Sequence, residues 1–145
     1  MNPQTDKELK QLHDTFIAEG FHRFYIDGIG TPKSDDVEVL SFNHGIWEVF
    51  YIERGQKGKI LFASPNKQEA IEFYKNHVYG IKHQHLVLAT RSKQKVADIK
   101  VLLTENNIEF WQNDIPSYSK IGDRMYRIFV FNKDVFKVKK LQKST

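Results

Sequence analysis

Two glycine-bearing turns, Asn43-His44-Gly45 and Arg54-Gly55-Gln56-Lys57-Gly58, bracket the run Ile46–Glu53. In a strand successive side chains point to opposite faces, so Trp47, Val49, Tyr51 and Glu53 share one face and Ile46, Glu48, Phe50 and Ile52 the other. A run this rich in aromatic and β-branched residues, closed by turn residues at both ends, is a strand held between two hairpins. With Val37–Phe42 before it and Lys59–Ala63 after it, the segment 37–63 reads as an antiparallel meander. The rest of the chain must cover that sheet.

Helix signals flank it. Thr5 or Asp6 can cap a helix over about 7–19, where Leu9, Leu12, Phe16 and Ile17 recur at helical spacing until Gly20. Phe21–Ile29 follows as a strand, with Gly28, Gly30 and Pro32 as punctuation. Ser64, followed by Pro65, is the capping signal for a helix bearing Ala70, Ile71, Phe73, Tyr74 and Val78, with Gly80 as its stop. The second half begins with the strand His85–Thr90 and a Ser92-capped helix carrying Val96, Ile99, Leu102 and Leu103, then the strand Ile108–Gln112. That order predicts a parallel right-handed crossover. Arg124–Phe131, apolar at nearly every position from Tyr126 on, suits burial on both faces. Asn132 is placed to cap a last helix with Val135, Phe136, Val138 and Leu141. The fold class is α+β: an antiparallel meander with flanking helices followed by a β-α-β-β-α unit. A chain of 145 residues fits a single domain, 1–145, and 80–84 is the one place where a boundary between two small lobes, 1–80 and 85–145, falls. At this length two lobes are expected to share one sheet or pack closely.

Chemistry-bearing groups are sparse. Cysteine is absent, which removes thiol nucleophiles, Fe–S clusters and the usual zinc-finger ligand sets. His83 and His85 alternate on a strand, with His13 and His22 elsewhere, but no carboxylate sits at a recognisable ligand spacing, so no metal site is assigned. Asp27-Gly28-Ile29-Gly30 lacks both the third glycine and the following helix of a nucleotide loop and reads as a tight turn. No nucleophile, base and orienter assemble, so the expectation is a non-enzymatic protein without catalytic residues or cofactor. The first twenty residues are charged throughout and no stretch reaches the ~18 apolar residues of a membrane span, which suits a cytoplasmic protein with no membrane partner.

Charge is unevenly placed. Residues 1–80 hold nine Lys and Arg against twelve Asp and Glu, whereas residues 81–145 hold thirteen against six, within a net charge of +4. Asp27, Asp35, Asp36, Glu38, Glu48 and Glu53 gather on the meander and its loops, where a negative patch can meet a cationic partner. The second half offers the opposite sign: Lys93, Lys95, Lys100, Lys133, Lys137, Lys139, Lys140, Arg124 and Arg127, with Tyr118 or Trp111, could track a nucleic-acid backbone, but the lysines are spread over two helices rather than interleaved with aromatics, so nucleic acid is not the expected partner.

The meander also carries a resemblance. Gly45-Ile46-Trp47-Glu48-Val49-Phe50-Tyr51-Ile52-Glu53-Arg54-Gly55, then Ile60-Leu61-Phe62, then Glu69-Ala70-Ile71-Glu72-Phe73-Tyr74, resembles the pattern of small immunity proteins encoded beside bacterial polymorphic toxins. The resemblance implies a non-enzymatic α+β protein of the producing cell's cytoplasm that blocks a cognate toxin domain, often a nuclease. It also implies that Trp47 and Phe62 are core residues and Gly55 a turn glycine. On this reading the partner-binding residues are Asp35, Asp36, Glu38, Glu48, Glu53 and Tyr51, with Trp47, Phe50 or Tyr51 as aromatic anchors where a sheet face is open. The alternative is a nucleic-acid-binding or regulatory module using the basic C-terminal half.

Overall fold

The computed structural model describes residues 6–116 and 124–143, which form an α+β fold in two compact units, Met1–Lys82 and His83–Thr145. Each unit has its own sheet, four strands in the first and three in the second, rather than a share of one.

In the first unit, helix α1 (Lys7–Ala18) opens on Asp6, whose side chain accepts from Leu9 N at 3.1 Å. Strand β1 is only Phe24–Ile26, shorter than the Phe21–Ile29 run suggested, because Gly28 (φ 88°) and Gly30 (φ 78°) turn the chain immediately after it. It pairs parallel with β2 (Val37–Asn43). Strands β3 (Ile46–Glu53) and β4 (Gln56–Ser64) complete the order β1-β2-β3-β4. Asn43 pairs with Ile46 and Glu53 with Gln56, so each hairpin closes on two residues. All four of those, His44, Gly45, Arg54 and Gly55, have positive φ, the backbone twist that matches a two-residue hairpin to its strands. The second turn is thus Arg54-Gly55 alone, and Gly58 lies inside β4. A Cβ there would stand 3.1 Å from Tyr51 O, beside the register shifts around Phe50.

Helix α2 (Lys67–Tyr79) is capped by Asn66, which accepts from Glu69 N at 3.1 Å. Ser64 had the capping chemistry but lies within β4, donates to Glu69 Oε2 and accepts from Asn66 N. Both helices bury their apolar stripes in one cluster: Leu9 and Phe16 from α1, Ile71 and Tyr74 from α2, against Leu40 and Val49 of the sheet. Val37, Val39 and Phe50 form a smaller buried cluster with Tyr25 and Ile52 against it.

The second unit runs β5 (Gln84–Thr90), α3 (Lys93–Glu105), β6 (Phe110–Gln112), β7 (Tyr126–Phe131) and α4 (Asp134–Lys143). Its sheet order is β5-β7-β6 with both pairings antiparallel, so the expected parallel β5–β6 contact does not form. The strand with the most continuous apolar run takes the centre and splits the β-α-β unit. Ser92 caps α3 as expected, accepting from Lys95 N. Asn132 does not cap α4 through its side chain; it sits at φ 54° and its Oδ1 accepts from His83 N at 2.9 Å. Val96, Ile99 and Leu103 of α3 and Val138 of α4 pack on Ile128 and Val130 of β7.

Candidate functional site

The acidic residues of the first unit do not form one patch. At the end of the sheet that carries the β3–β4 turn, Asp35 Oδ1 accepts from Arg54 N at 2.7 Å and Gly55 N donates to Ser34 O at 2.6 Å. These bonds tie the connection before β2 onto the hairpin. Asp36, held at φ 51°, lies 3.0 Å from Arg23 Nη2 and accepts from the Tyr51 hydroxyl at 2.5 Å. That hydrogen bond, with burial and the Asp36 and Glu53 charges adding to it against Arg23, pushes the Tyr51 phenol up to about 12. Tyr51 is therefore a neutral donor at any ordinary pH, fixed on a carboxylate. Glu53 ends β3, exposed beside it. Asp35, Asp36, Tyr51 and Glu53 are brought together; Glu38 and Glu48 are not, and Asp27 lies in the turn after β1.

Glu38 is 6% exposed, and its Oε2 stands 3.1 Å from His77 Nε2 of α2. Strand parity puts it on the face of Leu40, under the helix, so it is withdrawn from any partner surface. Glu48 is half-buried and paired with Lys57 at 3.2 Å, whose ammonium lies 4.4 Å from the Phe50 ring centre. Trp47, 4% exposed and 4.6 Å from the Phe42 ring, is a core residue, and Phe50 is buried as well. Of the three candidate anchors only Tyr51 reaches the surface.

Asp27-Gly28-Ile29-Gly30 is a tight turn, with Ile29 N donating to Ile26 O at 2.9 Å. Among the described residues no three metal-ligating side chains converge: His83 is fully buried and His13 contacts Asp14 at 3.2 Å. A hollow of about 290 Å³ that no sequence signal marks lies beside this turn, lined by His13, Ile17, Phe24, Ile29, Gly30 and Lys33. Burial pushes the Lys33 amine down, and its Nζ donates to His22 O at 2.6 Å and sits 5.2 Å from the Phe24 ring centre.

The basic candidates of the second unit divide by face. Lys93, Lys95 and Lys100 are on α3 and Lys137, Lys139 and Lys140 on α4, the helices that cover one side of the sheet; Lys133 precedes α4. Arg127 and Trp111 are on strands β7 and β6, on the side opposite the buried Ile128 and Val130. Arg124 is exposed ahead of β7, 3.6 Å from Asp114, and Tyr118 lies outside the described residues. Among the described residues, no helix is long and apolar enough to cross a membrane. No family model, curated protein or solved structure matches the chain.

Proposed function

We propose that this is an immunity protein: a stoichiometric, non-enzymatic inhibitor in the cytoplasm of its producing cell that holds a cognate toxin domain through the hairpin end of the first unit. The observation that carries the reading is the preorganised group Asp35, Asp36, Tyr51 and Glu53. Three carboxylates stand at one end of a sheet, two of them fixed by a backbone N–H, a guanidinium and a phenol. Fixed charges lose little conformational freedom on binding and steer a cationic partner during encounter. A nuclease domain, which must bind polyanions, offers such a surface. The residues that resemble the immunity pattern include this element, since β3 carries Tyr51 and Glu53 and the turn after it supplies the Arg54 N–H that holds Asp35.

The test is capture of the tagged protein co-expressed with the neighbouring open reading frame, followed by association kinetics with whatever polypeptide is retained. The expected result is one partner, bound one to one. Asp35→Asn, Asp36→Asn and Glu53→Gln together keep the hydrogen-bond acceptors but remove the charge, and they should slow association about tenfold or more at low salt, less so as salt rises. An unchanged association rate at low salt would remove the acidic-end reading.

A further inference from the structure

The second unit leaves one face of its sheet uncovered by its own helices. Alternation along β7 sends Ile128 and Val130 into the helix-covered core and Arg127 and Phe129 to the other side. The register sets Leu86 of β5 and Trp111 of β6 on either side of Phe129, an apolar row across all three strands. Leu86 is 53% exposed and Trp111 45%, far from the usual state of such side chains. Trp111 and Phe129 have ring centres 5.5 Å apart at 32°, and the Arg127 guanidinium carbon stands 5.4 Å from the Phe129 centre. Arg127 Nε donates to Asn113 O at 3.0 Å, which fixes the guanidinium over the ring. Among the described residues no carboxylate pairs with it.

We infer that this face is a platform on which unpaired bases of a single-stranded nucleic acid stack, with Arg127 meeting the phosphate backbone. Three observations favour that occupant. Flat rings beside a fixed guanidinium suit a ligand that brings flat rings and negative charge together. His83–Thr145 holds twelve Lys and Arg against six Asp and Glu, a sign that favours a polyanion. Thr90 pairs with Tyr126, so Arg91, which follows β5, and Arg124, which precedes β7, fall at the same end of the face as Arg127. Asp114 offsets part of Arg124, and Glu109 lies toward the opposite end, ahead of Trp111 on β6. A second copy docked face to face would set Arg127 near its own counterpart, and an apolar protein surface would desolvate the guanidinium without a partner. This platform does not depend on the toxin-binding reading, because every residue in it belongs to the other unit.

The test uses the full chain and fluorescein-labelled twelve-nucleotide probes: an oligouridylate, an oligothymidylate and a mixed-sequence DNA duplex, read by anisotropy at low and moderate salt. Intrinsic fluorescence gives a second readout, since Trp47 is 4% exposed and a quench on binding reports Trp111. Saturable binding to either single strand, with that quench and with the duplex bound more weakly, supports the platform, and the tighter strand names RNA or DNA as the source. Trp111→Ala should weaken binding by about 5- to 150-fold, the range for loss of one base–aromatic stack. Arg127→Gln should weaken it too, whereas Lys137→Gln, Lys139→Gln and Lys140→Gln together, on the helical side, should leave it within about twofold. Any of three results overturns the inference: no binding to either strand, binding that the lysine triple abolishes and Trp111→Ala does not, or dimerisation that Trp111→Ala abolishes with no nucleic acid bound.

Discussion

Tyr74 ties the first unit together, and removing its hydroxyl tests the packing at one atom. The side chain is fully buried in the α1–α2–sheet cluster, and its hydroxyl is 2.8 Å from Glu38 O and 3.2 Å from Tyr25 O, two carbonyls on neighbouring strands. Tyr74→Phe keeps the ring and removes the donor. Leaving a buried acceptor unpaired costs about 1–3 kcal/mol, so the variant should be less stable by that amount at pH 7. A second signature separates this from a general loosening of the core. Burial pushes the Tyr74 hydroxyl well above its ordinary value, with the Glu38 charge adding to it. The unfolded chain therefore releases this proton near pH 10 while the folded chain keeps it. Above that pH the unfolded state binds one proton fewer, so this group's contribution falls as pH rises, by about 1.4 kcal/mol at pH 11. The variant lacks this loss, and its deficit should shrink by that amount between pH 7 and pH 11. Urea unfolding in a Trp111→Phe background, where Trp47 is the only indole, reads the first unit directly. Equal stability of the two proteins at pH 7, or a deficit that does not narrow at pH 11, would refute the reasoning.

Two further perturbations address how the first unit is closed. Asp6 caps α1 and lies 2.7 Å from Lys67 Nζ of α2, which also reaches Glu8; Asp6→Ala should cost about 1–2 kcal/mol. Burial pushes its carboxyl up, but the Lys67 ammonium and the Leu9 N–H outweigh it and hold it below the ordinary value. Its contribution is therefore complete above pH ~4 and lost as pH falls through the folded value, so the acid limb of the stability curve should flatten in the variant. Gly30 sits at φ 78°, and a Cβ there would come within 2.9 Å of His13 Nε2. Gly30→Ala should cost about 1–2 kcal/mol from the left-handed backbone alone, plus the contact, and repeating the substitution in a His13→Ala background should remove the contact share and leave the backbone share.

Much of this architecture is written locally. The two hairpins were legible because each depends on neighbouring residues that tolerate positive φ; the alternation of β3 set Trp47 and Val49 on one face, and the structure shows that face to be the buried one. The element order was legible for the same reason. Pairing partners were not: β5 and β6 looked like neighbours because they follow one another around a helix, and only the apolar run of β7 hinted that it would take the place between them. The cap of α2 was missed because Asn66 has the same chemistry as Ser64 two residues before it, and only the length of β4, which takes in Ser64, decides between them. Glu38 was grouped with Asp35 and Asp36 by sequence proximity. Parity does not separate it from the surface cluster, since Glu38 pairs across the ladder with Tyr51 on the same face; what withdraws Glu38 is the cover of His77 from α2, a contact between residues far apart in sequence.

Charge along a sequence says which half carries an excess but not which face does. The lysines of α3 and α4 dominate the count in the second half, and they lie on the helices that shield the core side of the sheet. The exposed rings lie on the opposite side, with one arginine. Electrostatics alone would place a polyanion on the helices; stacking requires it on the strands. The first unit poses the inverse case, where several acids compress to a few because burial and ion pairs claim Glu38 and Glu48. Each surface is thus set by side chains that no charge count weights. Asp35, Asp36, Tyr51 and Glu53 belong to the first unit and Trp111, Phe129 and Arg127 to the second, so each set can be substituted without touching the other. A substitution at Trp111 that abolished toxin capture would therefore contradict the assignment of that capture to the hairpin end, whatever its effect on nucleic acid.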